Sequence, residues 1–287
     1  MKKQIIIALA AVALLSCSKE SSEPQQSVEQ KVEALFSKAT ITRSIENSWL
    51  KDDTIGISMV EQSTIAISDS KANIPYLANQ SGATTAFSAQ NSVIYLPQDG
   101  STVDFYAYHP YQSTMTGSGD YSVDLSVDSN AKSDLLRAVV TSKSKSDSAV
   151  ELNFSHRLSF LTINFTLGSG VESSEVKAKI LGIKTTANYN IFSDSFDNIP
   201  TAEDCLLEIS DSTASLMVLP QSLASDTEVV FTVGNDEYIW KMDKIELEKG
   251  RNYIYNVTIH KTSITLDGST ITDWIADDSA ENGEVFY

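Results

Sequence analysis

The sequence predicts an all-β protein built as two tandem β-sandwiches, and three observations carry that prediction. The first is residues 149–167. Here Val150, Leu152 and Phe154 alternate with Glu151, Asn153 and Ser155, and Leu161, Ile163, Phe165 and Leu167 alternate with Thr162, Asn164 and Thr166. A period of two over that length makes strands with one face in a core and one in water. The second is a change of phase at His156-Arg157, where one strand leaves one core and the next enters another. The third is composition: Ser, Thr, Ile and Val abound and turn residues recur at short intervals, which favours sandwiches over α/β layers. At 287 residues the chain can fill two ordinary cores. It divides into residues 1–16, 17–39, 40–156 and 157–287.

Residues 1–16 read as a signal peptide. Lys2 and Lys3 form a basic start, and residues 5–15 are eleven apolar positions, too few to cross a bilayer as a permanent helix. The run Leu14-Leu15-Ser16-Cys17 resembles a bacterial lipobox, cut before a cysteine that is then acylated. Each buried methylene contributes ~0.8 kcal/mol, so several acyl chains on Cys17 hold a protein durably at a membrane. Only Cys205 then remains, in a strand-like stretch where a buried, inert thiol is expected.

Residues 18–27 are a polar tether. Val28, Val32, Leu35 and Phe36 fit a short amphipathic helix, with a displaced first strand as the alternative. Strands follow around Ile55, Ile57 and Met59, then over 103–108, where Val103, Phe105 and Ala107 are assigned one face and Asp104, Tyr106 and Tyr108 the other. Tyr121, Val123 and Leu125 make another, and Asp134 to Ala138 begins the next. In the second half, Gly234-Asn235 turns a hairpin between 229–233 and 238–240. Lys249-Gly250 leads into Tyr253, Tyr255, Val257 and Ile259. Asp267-Gly268 reads as the turn of a last hairpin, with Ile264 and Leu266 facing Ile271 and Trp274.

Chemistry is absent from this pattern. His109, His156 and His260 are far apart, with no zinc-type pairing, no nucleophile elbow and no phosphate loop. Asp52-Asp53 and Asp277-Asp278 lack calcium-loop spacing and read as solvated turns. His156 reads as a satisfied structural histidine. No enzyme, metal or cofactor is expected. The net charge of −17, nearer −19 once Lys2 and Lys3 leave with the leader, argues against nucleic acid as a partner.

Several phrases, in order, resemble lipoproteins of the fimbrillin family, the subunits of type V pili. They are the lipobox, the Thr42-Arg43 start, Ala107 to Tyr111, Phe154-x-His156-x-Leu158, the run 216–221 and the run 270–274. The resemblance implies two transthyretin-like, Ig-like Greek-key sandwiches. It also implies export as an outer-membrane lipoprotein, with Glu20 and Glu23 resembling an acidic export patch, and assembly into surface fibres for adhesion. The implied partners are other fimbrial subunits joined by β-strand donation, the outer membrane through the lipid, and a host or bacterial surface ligand. Arg43 matches the position where a trypsin-like protease cuts fimbrillins, here before Ser44, so that the preceding strand is lost and another subunit fills its groove. Ile264, Leu266, Ile271 and Trp274 are the candidate donor segment. The acidic residues after Trp274 fit a tip or accessory role better than a stalk. The alternative is a lipid-anchored glycan-binding protein of an uptake system, which requires a solvent-facing aromatic cluster such as Tyr106, Tyr108, His109 and Tyr111.

Overall fold

The computed structural model describes residues 30–41, 48–126, 134–147, 149–172, 175–197 and 202–274. The described residues from Lys31 onward belong to one compact unit, and all regular structure among them is β. The first strands are β1 Leu35–Ile41, β2 Thr54–Glu61, β3 Ile74–Ala78, β4 Thr84–Thr85, β5 Phe87–Ala89, β6 Val103–His109 and β7 Asp120–Asp124. Next come β8 Leu136–Lys143, β9 Ala149–His156, β10 Ser159–Leu167, β11 Val176–Lys184, β12 Thr186–Asn190, β13 Ser195–Asp197 and β14 Ala202–Ser210. The chain ends with β15 Thr213–Val218, β16 Gln221–Leu223, β17 Glu228–Val233, β18 Asp236–Lys241, β19 Ile245–Leu247, β20 Arg251–His260 and β21 Ser263–Asp273.

Two eight-stranded sheets dominate, ordered β4-β1-β9-β8-β6-β2-β3-β5 and β18-β17-β11-β14-β15-β10-β20-β21. In the first, β4 and β5 stand at opposite ends of the order yet are separated only by Ala86. The chain therefore passes from one end strand of this sheet to the other in a single residue. A three-stranded sheet, β13-β12-β7, pairs Tyr121 with Tyr189 and so joins segments that the sequence reading assigned to different halves.

The alternation at 149–167 works as read. β9 sends Val150, Leu152 and Phe154 into the core of the first sheet, and β10 sends Leu161, Ile163 and Phe165 into that of the second. A third apolar cluster, including Val60, Tyr108, Tyr121, Leu158, Tyr189 and Trp274, gathers residues from both sides of the crossing.

Two expectations are corrected. Leu35 and Phe36 lie in a strand, not a helix, and Val28 lies outside the described residues. Asp267-Gly268 is not a turn: β21 runs straight through it beside β20, with a bulge where Val257 pairs Leu266 and Asn256 pairs Gly268. Ile264 therefore faces Ile259 and Ile271 faces Tyr253. The two faces assigned to β6 both pack inward. Val103, Phe105 and Ala107 enter the first core, Tyr108 enters the third, and Asp104 is buried with its carboxylate accepting the Ser63 and Ser142 N–H groups at 2.9 and 2.8 Å.

Candidate strand-exchange site

β1 lies between two strands of the first sheet. It runs parallel to β9, from Leu35 opposite Ala149 to Ile41 opposite Phe154, and touches β4 through only Ala39–Thr85 and Thr40–Thr84. Just before it, the Ala34 N–H donates to the Ile94 carbonyl at 3.0 Å, and the Leu96 N–H donates to the Val32 carbonyl at 2.8 Å. β1 thus satisfies neighbours on both sides, and its departure would leave their backbone groups unpaired.

Its inward side chains fill defined pockets. Phe36, 2% exposed, meets the ring of Tyr76 edge-on at 4.9 Å and that of Phe105 at 5.4 Å. Ala39, fully buried, accepts the Trp49 indole N–H on its carbonyl at 3.2 Å. Trp49 in turn packs against Phe87, His109 and Phe154. Burial pushes the Tyr76 hydroxyl up to about 12, and that hydroxyl accepts the Ile94 N–H at 3.0 Å. The outward Lys38–Glu151 pair, 3.7 Å apart and exposed, contributes ~0–1 kcal/mol. Apolar side chains and backbone bonds hold the strand, and another extended segment can offer the same kinds of contact.

Cys17, Arg43 and Ser44 lie outside the described residues, although Arg43 follows the last residue of β1 by two positions. Ile264, Leu266 and Ile271 lie on β21, the end strand of the second sheet, and pair with β20. Trp274 is buried at its end. The indole stacks on the His156 ring at 4.2 Å, and its backbone N–H donates to the Gly250 carbonyl at 2.7 Å. His156 is itself buried, with Nδ1 2.8 Å from Asp134 Oδ2, the structural role expected of it. Cys205 is half-buried in β14, and burial pushes its thiol up.

Of the cluster named for glycan stacking, Tyr108 is buried and Tyr106, His109 and Tyr111 are half-buried. Tyr108 packs on Tyr121 and donates its hydroxyl to Asn73 at 2.7 Å, while Tyr106 packs edge-on against Phe192. Among the described residues no cluster of three or more His, Cys, Asp or Glu is placed to hold a metal ion.

Sequence reasoning passed over Asp194, which ties together distant segments. It accepts the Tyr189 hydroxyl at 2.5 Å and Lys249 Nζ at 2.7 Å, and lies 3.0 Å from Arg157 Nε and 4.0 Å from Arg137. The Arg157 contact falls outside hydrogen-bond geometry and acts as a charge pair only. Burial pushes the Asp194 carboxyl up, but Lys249, Tyr189 and the two guanidiniums outweigh it and hold the group below its ordinary value. No local motif announces such a residue, because its partners come from four separate stretches of chain.

The described fold is all-β, with β1 laid between β9 and β4, and comparison with known proteins identifies its class. The description of fimbrillin-like proteins matches residues 42–274, and the chain belongs to that family. A Bacteroides uniformis protein named as a fimbrium subunit, Fim1C, is 30% identical over 294 aligned positions, covering 96% of each chain. A solved Bacteroides uniformis structure described as a cell adhesion protein is 27% identical, with a TM-score of 0.73, covering 87% of this chain and all of that one. The tip fimbrial protein Mfa3 of Porphyromonas gingivalis shares the fold at a TM-score of 0.51 and 11% identity, covering 83% of this chain and 99% of that one. The family is one of structural fimbrial subunits, which assemble with other subunits at the cell surface.

Proposed function

We propose that this chain is an outer-membrane lipoprotein subunit of an adhesive fimbria (stalk, tip or accessory) that assembles by exchanging a strand at the β1 groove. The observation that carries the proposal is the placement of β1. It lies between β9 and β4, immediately before Arg43, so one cut there separates a strand that fills apolar pockets from the sheet that needs it. In this reading Cys17 carries the lipid during export, and cleavage between Arg43 and Ser44 releases the lipid-linked segment together with β1. The strand carrying Ile264, Leu266, Ile271 and Trp274 is the donor, and a surface ligand is met by the assembled fibre. The inward packing of Tyr106 and Tyr108 favours this over glycan capture.

N-terminal sequencing of surface-assembled protein tests the processing step. A chain beginning at Ser44 supports it, whereas assembled protein that still carries lipidated Cys17 contradicts it. Cys17→Ala is expected to abolish acyl labelling and membrane association in cells.

A further inference from the structure

β7 is an end strand of the three-stranded sheet β13-β12-β7, and its outer side borders a cleft. The ladder with β12 pairs Tyr121 with Tyr189 and Val123 with Ala187. At the two ends of this ladder the Gly119 carbonyl accepts the Ile191 N–H at 2.9 Å, and the Leu125 N–H donates to the Thr185 carbonyl at 2.9 Å. Residues of that parity turn their backbone groups towards β12. The N–H and C=O groups of Asp120, Ser122 and Asp124 therefore point the other way, into the cleft. The cleft has a volume of about 410 Å³, within the range of ligand sites, and Pro110, Gln112 and Thr114 form its far wall.

One side chain already imitates a strand there. The Gln112 amide donates from Nε2 to the Ser122 carbonyl at 2.7 Å and accepts the Ser122 N–H on Oε1 at 3.2 Å. Two bonds exchanged with a single residue are the pattern of a hydrogen-bonded antiparallel pair. The Gln112 backbone is fixed separately, by the Tyr108 hydroxyl and by Asn73. The amide bonds are exposed, so the side chain can swing aside while that backbone stays.

The edge also has a sign. Asp120 and Asp124 flank Ser122, and both are exposed. Asn190 and Ser118 hold the Asp120 carboxyl below its ordinary 3.8, and Ser126 does the same for Asp124. Both are therefore charged at neutral pH, in a chain of net charge −17. A second copy of β7 laid antiparallel about Ser122 would set Asp120 against Asp124 twice, and like charges directly opposite one another oppose pairing. Tyr121 and Val123, between them, point inward and are 4% exposed.

We propose that the cleft side of β7 takes an extended segment of a basic partner protein as an added antiparallel strand, in place of the Gln112 amide. The segment carries Lys or Arg opposite Asp120 and Asp124, and apolar residues opposite Tyr121 and Val123. This site is separate from the β1 groove, and its partner is not another copy of the chain.

The probe is a fluorescent peptide of pattern Lys-Val-Thr-Val-Lys between glycines, titrated by anisotropy against the full chain. Binding is expected, and it is expected to tighten in Gln112→Ala, where the edge has lost its stand-in. Exchanging both lysines for glutamates is expected to weaken it by about tenfold or more. Ser122→Pro removes an outward N–H without touching the β12 ladder, and is expected to abolish binding while the thermal melt holds. Methylating the central Thr amide of the peptide removes the donor to the Ser122 carbonyl, and tests the same pairing with the protein unaltered. No binding to either the native chain or Gln112→Ala at up to about 1 mM peptide overturns the site, as does binding that neither Ser122→Pro nor the methylated amide weakens. A glutamate peptide that binds equally overturns the basic partner. A dimer in sedimentation that Ser122→Pro disperses overturns it too, and gives the edge to a second copy.

Discussion

Gly56 lies directly beneath Tyr108: a Cβ at that position would sit 2.2 Å from Tyr108 Cε1 and 2.6 Å from Asn73 Oδ1. Tyr108 is fully buried and hydrogen-bonded, so its ring has nowhere to go. Gly56→Ala is therefore expected to destabilise the protein by about 1–3 kcal/mol, read as a lower urea midpoint. Phe36→Ala, which empties the pocket between Tyr76 and Phe105, is expected to cost about 3–5 kcal/mol in the same assay. His109 carries a pH signature. Burial holds it below its ordinary 6.5, opposed by Asp53 and by its contact with the Thr54 carbonyl. The unfolded chain takes up the proton first, so stability from neutral His109 is present above 6.5 and is lost as the pH falls below that value. Thermal melts from about pH 7 to about pH 5 should show Tm falling, and His109→Gln should flatten that slope.

At the scale of elements, legibility follows from how many faces a strand buries. β9 and β10 were readable because each alternates one apolar face with one polar face. β6 was half-readable: its Val-Phe-Ala face was plain, but tyrosines, which resemble a wet face in sequence, cover a second core. The two outright misreadings share a cause. The three-residue step from Phe36 to Ala39 breaks the period of two, and Val28, Val32, Leu35 and Phe36 meet a helical template instead. The extra residue in β21 placed Asp-Gly where a turn is expected. Bulges defeat periodicity because they insert a residue without ending the strand. Ile264, Leu266 and Ile271 were nevertheless read as strand positions, and they lie on β21. The ring partners of Trp274, His156 and Phe160, by contrast, lie more than a hundred residues away and left no local trace.

Over the whole molecule, Asp194 links β8, the β9–β10 crossing, the turn after β12 and the turn before β20. Asp194→Asn leaves Arg137 and Arg157, both largely buried, without their charge partner. It is expected to cost on the order of 2–3 kcal/mol in urea unfolding. Because the carboxyl is held below its ordinary 3.8, its contribution is present above that value and is lost as the pH falls through the folded value. The variant should therefore lose part of the acid dependence below about pH 4. All-β architecture and family were legible from composition and ordered phrases, whereas this tie and the strand order of the first sheet depend on contacts distant in sequence.

The central claim is that β1 occupies a place another strand can take. Electron microscopy of purified protein before and after trimming at Arg43 tests it most directly. Fibres are expected from trimmed protein that has lost β1, and none from the intact chain. Trimmed protein that stays monomeric with its groove empty, or intact protein that polymerises equally well, would contradict it.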